Sequence, residues 1–313
     1  MDSENYRIST IMAILIFIGF LGAAKPVIFN EGSAAAKYFA KKSQLTMIHE
    51  QSIEDYMENA LFGDGTSTLN VSEDQYTGDE RSELVERIFF YDKLVVIILF
   101  VLCLSFLVPR LRNSQFLFYG LIPICLWVLF QAVAVSMNGG KKFSELALLA
   151  HATRWGMPLV LFIFIFCKDK TKWLLPAIVF SSMTFAVHGW EAWNLNPPFQ
   201  DLLYNFAAMF GVSPGQGAVH LFLKSVGCMD IFLAIAVLFY RKPGLFLWMA
   251  IWGFVTAFSR PLTIGFDAWP EFAMRIANCG MPAVLFAAYR FQTERAEERD
   301  QFKSNEKMEM VYE

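Results

Sequence analysis

Charge in this 313-residue chain is confined to blocks, and the stretches between the blocks are long and apolar. A bilayer core of about 30 Å takes roughly 20 helical residues to cross. Eight stretches approach that length: Ile8–Ala24, Leu94–Val108, Phe116–Met137, Leu146–Cys167, Leu174–Trp193, Val219–Tyr240, Leu245–Pro261 and Phe272–Tyr289. Hydrophobic residues make up 56% of the chain and charged residues 18%. A soluble protein would spread its charges along the outer faces of its helices instead of sorting them into connections. In lipid the backbone must satisfy its own hydrogen bonds, which leaves helices for spans of this length. The expected fold class is all-α, a polytopic membrane helix bundle of about eight transmembrane helices.

Positive charge sets the expected orientation. Arg110 and Arg112 follow the second stretch, Lys168, Lys170 and Lys172 the fourth, Arg241 and Lys242 the sixth. The connections after the fifth and seventh carry no Lys or Arg; Lys141 and Lys142 after the third are the exception. By the positive-inside rule both termini face the cytoplasm, in a multi-pass protein of a plasma or inner membrane. The first stretch could be a cleaved signal peptide, since Gly22-Ala23-Ala24 are small. Acidic Asp2 and Glu4 ahead of it, and Pro26 close behind, favour a retained helix.

Residues 31–93 read as a polar insertion, with thirteen Asp or Glu against six Lys or Arg. Ser33–Lys42 and Thr46–Phe62 have helical character, and Gly63-Asp64-Gly65 is a stop signal. Asn70-Val71-Ser72 fits the N-glycosylation acceptor pattern and is most simply a chance tripeptide. The acidic cluster Glu73–Glu86 lacks calcium-loop spacing and reads as a solvated face. In the shorter connection at 194–218, Phe199–Phe210 suits an interfacial helix. A charged tail from 291 to 313 should begin as helix and then lose order.

The five cysteines, Cys103, Cys125, Cys167, Cys228 and Cys279, each stand alone in an apolar run. Isolated cysteines of this kind behave as small buried hydrophobes, so no metal site or disulfide framework is expected. No basic patch suggests nucleic acid; the partner is the lipid bilayer.

One motif occurs twice. Gly156-Met157-Pro158 leads into Leu159-Val160-Leu161-Phe162, and Gly280-Met281-Pro282 into Ala283-Val284-Leu285-Phe286, identical at six of seven positions. Upstream, His151 and Arg154 align with Arg275 and Asn278. The chain therefore reads as two parallel four-helix repeats, 1–172 and 173–290, followed by the tail. Pro158 and Pro282 should each kink a helix and free the carbonyl four residues earlier, that of Arg154 and of Asn278. Gly156 and Gly280 beside them permit close helix approach.

Ionisable residues inside the membrane mark function by default. Here they share one outer level: His151 and Arg154, His188 and Glu191, His220 and Lys224, Arg260, and Arg275 with Asn278. Asp230 alone reaches mid-depth, with Arg154 nearest to it in level. The pattern predicts an outward-facing polar pocket over an apolar floor, not a continuous pore. Two of the histidines could be axial haem ligands, but no haem-binding spacing accompanies them.

Phe185-Ala186-Val187-His188-Gly189 closes the fifth stretch. Gly227-Cys228-Met229-Asp230 opens a small-residue run that ends at Arg241-Lys242-Pro243-Gly244. Across about 130 residues this second half resembles the DoxX-like family of small four-helix membrane proteins, with the first half a diverged copy. The family takes its name from a subunit of a thiosulfate:quinone oxidoreductase. The resemblance implies a quinone-linked redox membrane subunit with quinone as cofactor. The residues themselves offer two other readings. One is a carrier or receptor for a small anion, suggested by Arg154, Lys224, Arg260 and Arg275. The other is a structural partner that docks an extracytoplasmic protein through 31–93.

Overall fold

The computed structural model describes residues 3–29, 32–43, 78–108, 111, 115–139, 142–167, 169 and 171–312. The helix expected at Thr46–Phe62, its Gly63-Asp64-Gly65 stop and the Asn70-Val71-Ser72 tripeptide lie outside these residues. Among those described, the chain is helical without strands. Its helices are α1 (Ser3–Ile28), α2 (34–43), α3 (Gly78–Leu107), α4 (Gln115–Asn138), α5 (Ala147–Ala150), α6 (Ala152–Phe166), α7 (Leu174–Trp193), α8 (Pro197–Ala208), α9 (Gln216–Phe239), α10 (Pro243–Ile264) and α11 (Trp269–Tyr312). The all-α bundle is as expected. Several boundaries differ. α3 begins at Gly78, so residues 78–93 of the expected insertion are helical and continuous with a span. The helix expected at Leu146–Cys167 is broken at His151, whose φ of −99° and ψ of 13° leave the α region. Pro158 and Pro282 both sit inside continuous helices. The tail continues α11 as far as Tyr312.

Among the described residues, seven helical segments are long and apolar enough to cross a membrane. The eighth expected span, α7, has the length, 20 residues, but not the hydropathy. Ser181, Ser182, Thr184, His188 and Glu191 dilute its apolar character. Its position explains the tolerance: α7 packs on α6, α9 and α11, and Ala177, Ile178, Ser181 and Thr184 are fully buried. A helix walled in by protein need not be as apolar as one that faces lipid.

The contacts form two rings. α1 packs on α3 and α6, α3 touches α4, and α4 packs on α6. In the second ring α7 packs on α9 and α11, α9 touches α10, and α10 packs on α11. The rings meet where α1 lies along α11, and α6 along both α7 and α11. Small residues set the closest crossings. A Cβ on Gly22 would lie 2.6 Å from the Pro270 carbonyl oxygen of α11, and one on Gly227 2.6 Å from the Trp193 nitrogen of α7. Only glycine lets backbones approach that closely.

The two Gly-Met-Pro motifs pack alike. A Cβ on Gly156 would come within 2.7 Å of Phe180 Cγ on α7, and one on Gly280 within 2.7 Å of Leu15 Cδ1 on α1. At the helix ends away from His151, His188 and Arg260, a dry aromatic cluster fills the bundle. Phe164 meets Trp173 edge-on at 5.5 Å, Phe246 stacks on Tyr289 at 5.1 Å, and Phe106, Phe164, Trp173 and Phe246 are almost wholly inaccessible. This is the apolar floor expected from the charge pattern.

Candidate functional site

The polar residues divide between two cavities, where the sequence predicted one pocket. His188, Asp230, Arg260, Arg275 and Asn278 line a cavity of about 270 Å³ enclosed by α7, α9, α10 and α11. The amphipathic helix α8 contributes Phe199, Leu202, Leu203 and Phe206 to its wall. α8 is the helix expected at Phe199–Phe210, shifted two residues earlier, with Pro197 and Pro198 in its first turn. His151 and Arg154 line a second cavity, of about 570 Å³, between α1, α2, α4, α6 and α11.

The three remaining candidates line neither. His220 Nε2 lies 3.2 Å from Gln200 Oε1 and so joins α9 to α8. Lys224 sits 5.9 Å over the Trp193 ring. Glu191 Oε2 lies 3.2 Å from His188 Nδ1, the pair expected from their spacing on one helix face. Glu191 thus steadies a cavity residue from outside the cavity.

The smaller cavity is apolar along most of its length. Phe185, Phe199, Phe206, Phe222, Leu223 and Val255 form its sides. Its polar groups gather where α10 and α11 face α7. Arg275 Nη1 donates to the Glu271 carbonyl at 3.0 Å and to Glu271 Oε2 at 3.1 Å. Arg260 makes no hydrogen bond and no ion pair among the described residues, and feels Glu271 and Glu191 only through space. Asp230 is 6% exposed and its Oδ1 lacks a hydrogen-bond partner. Its neighbour is Trp252, not Arg154 as depth alone suggested; the indole N–H approaches the carboxyl but closes no hydrogen bond. Both orphaned atoms belong to residues lining the cavity. Unmet polar groups of this kind at a cavity wall are cheapest when an occupant meets them.

Sequence reading missed Trp252, Thr153, Thr184 and Glu271. Glu271 was within reach, since it precedes Arg275 by four residues. Thr184 likewise sits one helical turn before His188. Among the described residues no three His, Cys, Asp or Glu side chains gather as metal ligands. All five cysteines are free; Cys103 and Cys279 are buried and Cys228 is exposed.

Comparison with known protein families, curated proteins and solved structures finds no match to this chain.

Proposed function

We propose that this membrane protein binds an amphipathic small molecule with an anionic head, as a carrier or receptor, in the cavity enclosed by α7–α11. The observation that carries the reading is Arg260. Among the described residues it is a cation without an ion pair, half-buried at the polar end of a cavity whose sides are aromatic and aliphatic. A guanidinium is suited to a carboxylate or phosphate head, and leaving it buried without one is costly. The apolar sides would take a chain, and about 270 Å³ lies just under the usual range of small-ligand pockets, which suits a short chain. Trp252 would donate to the head and Asp230 accept from a hydroxyl. His188, held by Glu191, completes the polar end.

The same walls would hold a quinone tail, as the DoxX-like resemblance implies, with the His188–Glu191 pair supplying a proton. A neutral quinone leaves Arg260 without a counter-charge, which ranks that reading second. Docking of an extracytoplasmic protein through 31–93 comes third, with its last sixteen residues now belonging to α3.

The packing also favours the duplication. Exchanging α1 with α7, α3 with α9, α4 with α10 and α6 with α11 carries the ring contacts onto one another. In each half a short amphipathic helix, α2 or α8, roofs a cavity. With α7 counted as a span, eight crossings put both termini on the cytoplasmic side and both cavities near the outer face. A reporter fused at Thr171 should then read inside and one at Ser67 outside.

Quenching tests the ligand reading. A brominated fatty acid added to the purified protein should quench Trp252, with Trp252→Phe as the subtraction. Quenching that is saturable in wild type and lost in Arg260→Gln is the expected result. Equal quenching in both would show that the chain partitions nonspecifically.

A further inference from the structure

The larger cavity, in the first half of the chain, takes no part in the reading above. Its chemistry differs from that of its neighbour. Lys37, His151 and Arg154 supply its ionisable groups, and no carboxylate lines it among the described residues. None of these three side chains makes a hydrogen bond or ion pair among the described residues, and Arg154 Nε is buried without a partner. Arg154 projects from the first turn of α6, beside the break at His151. Arg154 feels Arg275 and Arg260 through space, offset in part by Glu271 and Glu191, and none of these four lines this cavity.

The roof of this cavity is built and tied down. Ala35 N–H donates to Gln131 Oε1 at 3.0 Å, and Asn138 Nδ2 donates to the Ala34 carbonyl at 3.0 Å, both joining α2 to α4. Ser33 donates through its N–H and its hydroxyl to the Asp92 carboxylate of α3, at 2.8 and 2.9 Å. These bonds hold Lys37, which lies on α2, over the same cavity as Arg154.

Two cations and a histidine thus line one open cavity of about 570 Å³, Lys37 exposed at its rim and Arg154 half-buried in its wall, with no carboxylate in the lining among the described residues. Burying unpaired charge is expensive, and a bound anion offsets that cost through charge-assisted hydrogen bonds. We infer that the cavity between α1, α2, α4, α6 and α11 is a second binding site, for a small soluble oxyanion of carboxylate or phosphate chemistry. Arg154 grips the anion from the floor and Lys37 closes on it from the roof.

The test uses full-length protein in nanodiscs of a zwitterionic lipid, titrated calorimetrically with inorganic phosphate and, separately, succinate in a chloride-free buffer. Wild type should bind at least one probe saturably at one site. Arg154→Gln should weaken that binding at least tenfold, and Lys37→Gln several-fold. Lys37 sits on a short roof helix, so its variant carries the test if Arg154→Gln fails to fold. Arg260→Gln should bind the probe as wild type does, while losing the fatty-acid quenching described above; the two cavities are therefore scored separately. No saturable binding of either probe to wild type would overturn the inference, as would unchanged affinity in both the Arg154 and Lys37 variants. Phosphatidylglycerol nanodiscs decide the source of the anion. Binding that persists there supports a soluble ligand, and loss there assigns the site to a lipid headgroup and overturns the soluble one.

Discussion

Thr153 Oγ1 donates a hydrogen bond of 2.7 Å to Asn278 Oδ1, tying α6 to α11 beside the wall that the two cavities share. Thr184 of α7 completes the junction. Its hydroxyl accepts from the Thr153 N–H at 3.1 Å, and it donates to Thr153 Oγ1 at 3.4 Å. The break at His151 leaves first-turn N–H groups of α6 without helical partners. Thr184 meets one of them from a neighbouring helix, so the break is supported at the place where it points Arg154 inward. Interhelical hydrogen bonds in membranes contribute about 0.6 kcal/mol on average and up to about 1.7. Thr153→Val and Asn278→Leu should each destabilise the detergent-solubilised protein, and the double variant should lose less than their sum. Thermal unfolding of the four proteins measures that coupling, and strict additivity would contradict it.

The glycines of the two Gly-Met-Pro motifs should not be equally sensitive. Gly156 faces the inner atoms of the Phe180 ring, which is itself held against Trp155 at a centroid distance of 4.7 Å. Gly280 faces the end of Leu15, a side chain that can change rotamer. Gly156→Ala should therefore cost about 1–3 kcal/mol, in the range for overpacking, and Gly280→Ala clearly less. Adding Phe180→Leu to Gly156→Ala should restore part of the loss. Equal melting temperatures for the two single variants would show that the Phe180 ring yields as easily as Leu15.

Much of this architecture was legible because a bilayer imposes a length and a polarity on each span. The apolar runs, the shared level of the polar residues and the apolar cluster at the opposite helix ends all follow from that constraint. What the sequence does not carry is the direction each helix faces around the bundle. His151 and Arg275 share a level yet line different cavities, because α6 turns one toward α1 and α4 while α11 turns the other toward α7 and α10. The same limit explains Asp230, whose neighbour Trp252 had no charge to draw attention to it. α3 was read short because Gly78–Lys93 is polar enough to resemble a solvated insertion. The break before α6 falls at His151, where no proline or glycine announced it, while Pro158, the expected kink, lies inside α6.

Asp230 separates hydrogen bonding from packing. Its carboxyl is buried beside Trp252 at a close crossing of α7 and α9, where a Cβ on Gly189 would lie 2.9 Å from Asp230 Cβ. Asp230→Asn keeps the shape and the acceptor, so expression and melting temperature should stay near wild type. Asp230→Leu removes the acceptor, leaves the Trp252 N–H against an apolar side chain and should lower the yield of folded protein. Size-exclusion profiles of the two variants check this. Equal tolerance of both would mean that the carboxyl is not confined as described.

His188 links the two leading readings of the smaller cavity. His188→Gln retains polarity and approximate size, and its amide can still reach Glu191. Insertion and stability should be unchanged, while binding of the brominated fatty acid should weaken several-fold. A quenching titration on purified His188→Gln decides the point, and full affinity would reduce His188 to a tether for Glu191.

The central claim, an amphipathic anion seated on Arg260, is tested most directly by mass spectrometry of what stays with the protein through purification. Wild type and Arg260→Gln would be extracted from the same membranes in the same detergent and compared at equal protein amounts. The account predicts a single-chain carboxylate or phosphate retained near stoichiometrically by wild type and depleted at least tenfold from Arg260→Gln. An identical set of lipids on both proteins, or a quinone retained by both, would contradict it.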